Sequence, residues 1–108
     1  MLAKANRIVR GDDFRRIVRS GRRAGCPLAV VHRAKPEAAV SRFGFIVSKQ
    51  VGNAVVRNRV KRRLSEIVRG ELDSIETADI VIRALPAADS ADFATLRADI
   101  SALLVQRS

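Results

Sequence analysis

The strongest constraint on the fold is the stretch from residue 54 to residue 69. Val56, Val60, Leu64, Ile67 and Val68 recur there at helical spacing, and most of what lies between them is polar or basic. A segment of this kind is stable only as a helix with one side laid on a core, so the rest of the chain must supply an apolar surface for it. On a helical wheel Arg57, Asn58, Lys61 and Arg62 share one broad solvent face. Arg59 and Arg63 flank the apolar stripe, where Arg63 and Glu66, three residues apart, can pair. Between Lys49 and Arg63 there are six positive side chains and no acid. A helix face that served only to meet water would intersperse acids to gain pairs one turn apart.

The surface that this helix needs is legible as strands. Residues 27–33, PLAVVHR, read as one strand and residues 42–49, RFGFIVSK, as a second. In the second, Phe43, Phe45, Val47 and Lys49 share one face, and Arg42, Gly44, Ile46 and Ser48 the other. The segment between them, Ala34 to Ser41, contains Pro36 and charges and is expected to be a hairpin connection. Residues 78–84, ADIVIRA, make a third strand before Pro86. A short helix over 12–20 carries Phe14, Ile17 and Val18 on one stripe. Asp12 or Asp13 is placed to cap it, and Gly21 to supply a left-handed residue after its end. Ser90 is expected to open a last helix with Phe93, Leu96, Ile100, Leu103 and Leu104 on its core side. Together these elements predict a small α+β sandwich, one sheet packed with helices.

Charge narrows the function. Residues 1–69 hold 18 Lys/Arg against four acids, net +14, and residues 70–108 carry net −4, which together give the +10 of the 108-residue chain. Because hydrophobic residues make up 47%, this is a folded cation rather than a disordered basic tail, and its expected partner is a polyanion. The apolar runs are far short of the roughly 20 residues of a membrane span. The opening MLAKANRIVR lacks the apolar centre of a secretory signal. Cys26, the single cysteine, has no partner for a disulfide, which suits a reducing cytoplasm. Charge alone leaves DNA, a structural RNA and a catalytic RNA all open. With no Trp, no Tyr and four Phe, the chain lacks a broad aromatic platform for single strands; Phe43, Phe45 and Phe93 are expected in the core, and Phe14 stands between core and surface.

Nothing in the sequence assembles a catalytic centre of protein groups. The lone histidine, His32, lies in a strand, the acids gather at 71–79 and 89–99 away from the basic helix, and Gly52 is not part of a phosphate loop. No catalytic and no metal-ligating residue is assigned.

The run from Gly44 to Arg63, GFIVSKQVGNAVVRNRVKRR, resembles the signature of the bacterial ribonuclease P protein component: an Arg-Asn-Arg helix preceded by Val-Ser-Lys and Gly-Asn-Ala. Asn6-Arg7, Asp13-Phe14, Gly21 and the strand Asp79 to Pro86 are similar to the family as well, so the resemblance spans nearly the whole chain. It implies that residues 1–108 form a single RNA-binding domain of α-β-β-β-α-β-α order with a left-handed βαβ crossover. It implies a cytoplasmic, noncatalytic subunit of a ribonucleoprotein whose RNA removes the 5′ leader of precursor tRNA, the Mg2+ requirement belonging to the RNA-containing holoenzyme and no cofactor to the protein. The catalytic RNA would be held by Arg57, Asn58, Arg59, Lys61, Arg62 and Arg63. The leader would lie in a cleft with Phe14, Val18, His32, Ser48 and Lys49. Gln50, where the family often has a lysine, and His32 and Val18, where aromatic residues are common, depart from the pattern and imply weaker leader binding. The family fold also requires one strand more than the three read above, near Arg23 to Cys26 or within 34–41.

Overall fold

The computed structural model describes residues 2–105, in the order α1 (Gly11–Ser20), β1 (Arg22–Gly25), β2 (Ala29–Ala34), β3 (Arg42–Ile46), α2 (Ala54–Glu71), β4 (Asp79–Ala84) and α3 (Phe93–Val105). The extra strand is β1, at the N-terminal edge of the range that the resemblance allowed. The sheet order is β1-β2-β4-β3, with β3 parallel to β4 and the other neighbours antiparallel. The chain is thus an α+β domain with one four-stranded sheet and three helices.

Insertion of β4 between β2 and β3 corrects the expected hairpin. The 34–41 segment does not join neighbours; it carries the chain past the place that β4 fills later. The true hairpin is β1–β2, closed by the Cys26 amide donating to the Ala29 carbonyl at 2.9 Å, which is why β2 begins at Ala29 rather than at Pro27. The central position of β4 explains its composition, since a strand covered on both faces reads as a continuous apolar run. All of it except Arg83 is buried.

The two faces of the sheet follow from strand alternation. Val31, Phe43, Ile80 and Ile82 point to one side, where Val60, Leu64, Ile67 and Val68 of α2 and Leu96, Ile100, Leu103 and Leu104 of α3 complete the main core. Val81 and Ile46 point to the other side, against Ile8 and against Phe14, Ile17 and Val18 of α1. Helix α2 is capped as its sequence allows, the Asn53 side chain accepting from the Val56 amide at 3.0 Å.

Helix α1 starts and stops differently from expectation. Arg10 is its N-cap residue and gives no side-chain cap, while Asp12 and Asp13 lie inside the first turn, where carboxylates favour the helix dipole. Gly21 is extended, with φ −77° and ψ 163°. Its lack of a side chain serves packing instead: a Cβ there would sit 2.7 Å from the Arg33 carbonyl oxygen and closer still to that of Ile17. Helix α3 begins at Phe93, not Ser90, because Asp92 accepts from the Thr95 amide at 2.7 Å and Ser90 lies in the turn after the 3-10 segment Pro86–Ala88. Phe93, at the first position of α3, is outside the core and 39% exposed.

Candidate nucleic-acid interface

Helix α2 and the turn before it present the basic residues. Asn58, Lys61 and Arg62 are exposed on one side of the helix, and Arg63 is half-buried beside them. The remaining two arginines are already engaged. Arg57 donates from Nη1 to the Gly52 carbonyl at 3.0 Å, tying the first turn of α2 to the loop that precedes it. Arg59 pairs with Asp89 at 2.5 Å, linking α2 to the turn before α3, and its buried Nε has no hydrogen-bond partner. Glu66, expected beside Arg63, meets Arg69 at 3.3 Å.

The second group of residues lies over the sheet face beneath α1. Strand register arranges that face in rows: Ala34, Asp79 and Arg42; then Arg23, His32, Val81 and Gly44; then Gly25, Val30, Arg83 and Ile46. Phe14 rests on the second row because position 44 has no side chain; a Cβ there would come within 2.6 Å of the Phe14 ring. Val18 packs on the same cluster, and His32 sits in the middle of the row, buried at 6% exposure. Strand β3 ends at Ile46, not at residue 49, so Ser48 and Lys49 lie just past its end and are exposed. Phe14, Val18 and His32 therefore come together, and Ser48 and Lys49 follow the strand that borders them.

An ionic cluster fixes α1 in this position. Asp79, fully buried, accepts from Arg16 at 2.6 Å and from Arg42 at 2.7 and 3.1 Å, while Asp13 and Glu37 approach the same two guanidinium groups. Burial alone would raise the Asp79 carboxyl, but the hydrogen bonds and charges of Arg42 and Arg16 outweigh it and hold the group below the usual carboxylate range. His32 moves the same way from another cause. Burial, then the charges of Arg83 and Arg23, lower its imidazole from the ordinary 6.5, and its sealed Nδ1 has no partner. The neutral tautomer protonated at Nε2 leaves only a lone pair unmet, so His32 is a neutral ring at physiological pH.

Sequence reasoning missed Arg23 and Arg83. One lies in a strand too short to recognise, although an isolated arginine within the apolar run ADIVIRA was a visible signal for the other. It also missed Asp89 as the partner of Arg59. Among the described residues no group of three or more His, Cys, Asp or Glu side chains is arranged to hold a metal ion, and no helix is long and apolar enough to cross a membrane.

Comparison with known proteins gives one family throughout. The family model described as Ribonuclease P matches residues 2–107. The ribonuclease P protein component of Streptomyces bikiniensis is 48% identical over 114 residues, covering 96% of this chain and 93% of that protein. The component from Pseudarthrobacter chlorophenolicus is 51% identical over 106 residues, covering 96% of this chain and 78% of that one. Among solved structures, the ribonuclease P protein of Staphylococcus aureus superposes with a TM-score of 0.85 at 30% identity, covering 94% of each chain. That of Thermotoga maritima superposes with a TM-score of 0.85 at 29% identity, covering 94% of this chain and 97% of the other.

Proposed function

The chain belongs to the ribonuclease P protein family, as a subunit of the holoenzyme whose partner is the ribonuclease P RNA, and from that premise we propose how its two surfaces divide the work. Helix α2 grips the catalytic RNA, and the cleft under α1 holds the single-stranded 5′ leader of precursor tRNA in the cytoplasm. The observation that carries this assignment is the unbalanced outer face of α2, where Asn58, Lys61 and Arg62 stand exposed with no acid between Lys49 and Arg63. Such a face neutralises a phosphate backbone, and Arg and Asn add directed bonds to phosphate, sugar or base edges.

Within the RNA-gripping set the roles differ. Asn58, Lys61, Arg62 and Arg63 have their charge or amide available to RNA. Arg57 and Arg59 act at one remove by holding the start of α2 and its junction with α3, while the free edge of each guanidinium can still meet a phosphate. In the cleft, the half-buried Phe14 ring supplies a flat surface, Val18 the apolar wall, the buried His32 the floor, and Ser48 and Lys49 polar and charged contacts at its mouth.

The cleavage itself is assigned to the RNA subunit with its Mg2+, and the polypeptide contributes no catalytic group. The acids nearest the cleft, Asp13, Glu37 and Asp79, are committed to Arg16 and Arg42. What the protein does is bind and orient: it raises the local concentration of the leader beside the RNA and screens phosphate repulsion between them.

Reconstitution tests this function. The purified protein added to the ribonuclease P RNA of the same bacterium is expected to promote precursor-tRNA cleavage at low magnesium. No promotion, with the RNA active alone at high magnesium, would overturn the proposal.

A further inference from the structure

The sheet face beneath α1 is covered unevenly. α1 lies over the first two rows, where Arg16 reaches Asp79 and where Phe14, Ile17 and Val18 pack with Val81. His32 is buried in the second row, and two exposed arginines stand at its margins. Arg23 is its register partner on the edge strand β1, and Arg83 stands on β4 two residues beyond Val81, its register partner on that side. Both are exposed, and neither makes an ion pair or side-chain hydrogen bond among the described residues. Every other cation on this face has an acid: Arg16 and Arg42 share Asp79, with Asp13 and Glu37 beside them.

Two exposed like charges at the margins of a buried ring repel each other weakly across water, and an anion that joins them removes that repulsion and gains from both. The side chains are long enough to converge above His32 from strands on either side of β2, whose neighbours lie about 4.8 Å away. Each offers a planar fork that matches two phosphate oxygens. Both guanidinium groups stand at the surface rather than in a cavity, which suits an extended strand better than a compact ligand.

We infer that Arg23 and Arg83 close from opposite sides of His32 on one phosphodiester of a single-stranded RNA laid across the sheet. This rests on the proposed path of the leader and extends it. The strand does not stop at Phe14 and Lys49 but crosses β4 and β2 toward the edge strand β1. Neither arginine touches the face of α2 that grips the catalytic RNA, so the clamp acts on substrate and not on assembly.

The test uses the assembled holoenzyme and measures binding of precursor tRNA and of mature tRNA as salt is varied. Arg83→Ala and Arg23→Ala are each expected to weaken binding of the leadered substrate about tenfold and to leave mature tRNA unchanged. Arg→Lys at either position should recover part of the loss, because the charge is kept and only the fork is lost. In the double alanine variant the slope of log affinity against log salt should fall by about one, the value for one phosphate. A fall of about two would mean two separate phosphates and would overturn the shared clamp. Unchanged leadered binding in both single variants, while wild type still prefers the leadered substrate, would overturn the inference alone. If wild type itself does not distinguish leadered from leaderless RNA, the leader reading fails and the clamp with it. Thermal melting of each variant, expected to match wild type at these exposed positions, separates lost contact from lost fold.

Discussion

The two faces of the sheet are held by different physics. Against α2 and α3 the contact is dry and apolar, with Val60, Leu64, Ile80, Ile82, Leu96 and Ile100 all sealed. Against α1 the apolar patch is small, Ile8, Ile17 and Val81 with a few half-buried neighbours, and the helix is anchored by the Asp79 cluster. A dry face has no tolerance for a gap but makes no demand on charge. An ionic anchor fixes one helix in one place and leaves the adjoining surface open to water and to a ligand. Stability is therefore concentrated on the dry face, and the surface proposed for the leader adjoins the sparsely packed one.

This contrast can be broken at its ionic side first. Asp79→Ala leaves Arg16 and Arg42 facing each other without their carboxylate and is expected to cost about 3–5 kcal/mol in denaturant unfolding, the range for breaking a buried pair. A loss below about 1 kcal/mol would show that α1 is held by its apolar contacts alone. On the dry face, Leu64→Ala should cost about 2–5 kcal/mol through lost burial and the cavity left behind. Unlike Asp79→Ala, it should show no dependence on acid. The Asp79 carboxyl titrates lower when folded than its ordinary 3.8, so its contribution is present above that value and lost as pH falls below it.

Smaller changes sharpen where the open surface begins. Gly44→Ala drives a methyl group toward the Phe14 ring and is expected to cost about 1–3 kcal/mol while displacing that ring from the cleft. The companion measurement is the preference for leadered over mature tRNA, which should fall in this variant. His32 gives a pH signature: its folded value lies below the ordinary 6.5, so the unfolded chain takes up the proton first. Stability should therefore decline as pH falls through 6.5, and His32→Phe should remove that decline. An unchanged profile would mean that the imidazole is not held neutral. The least expected effect is at Phe93, which lies exposed at the first turn of α3; Phe93→Ser should shift unfolding by no more than about 0.5 kcal/mol.

What could be read from sequence follows how local each feature is. Helix α2 was legible to within two residues of its end at Glu71 because its stripe and its basic face are both written in consecutive turns, and the same contiguity marked its cations as a candidate site. β1 was not, since Arg22–Gly25 is four residues long with a mostly exposed pattern and no apolar alternation to mark it. The place of β4 was hidden for a different reason. Its burial on both faces suits a central strand, but which strands it separates is decided by pairings between residues far apart in the chain. Phe93 was placed in the core on periodicity, but at the first position of α3 it lies at the edge of the packing, 39% exposed beside Arg62, Arg63 and Glu66 of α2. The row of Arg23, His32 and Arg83 needs the register of three strands, so no reading of one segment at a time could bring it together.

The central position of β4 also sets an order of events during synthesis. Until residues 79–84 leave the ribosome, β2 and β3 have no neighbour in common, Arg16 and Arg42 lack Asp79, and Arg59 must wait longer still for Asp89. The first 69 residues, with their net +14, therefore emerge as an unfinished and strongly basic chain beside an RNA machine. The acidic final third then works as an internal counter-ion, its Asp79 and Asp89 capturing three of those arginines as the domain closes. A chain stopped short of residue 79 would keep a net charge of +11 without the fold that directs it.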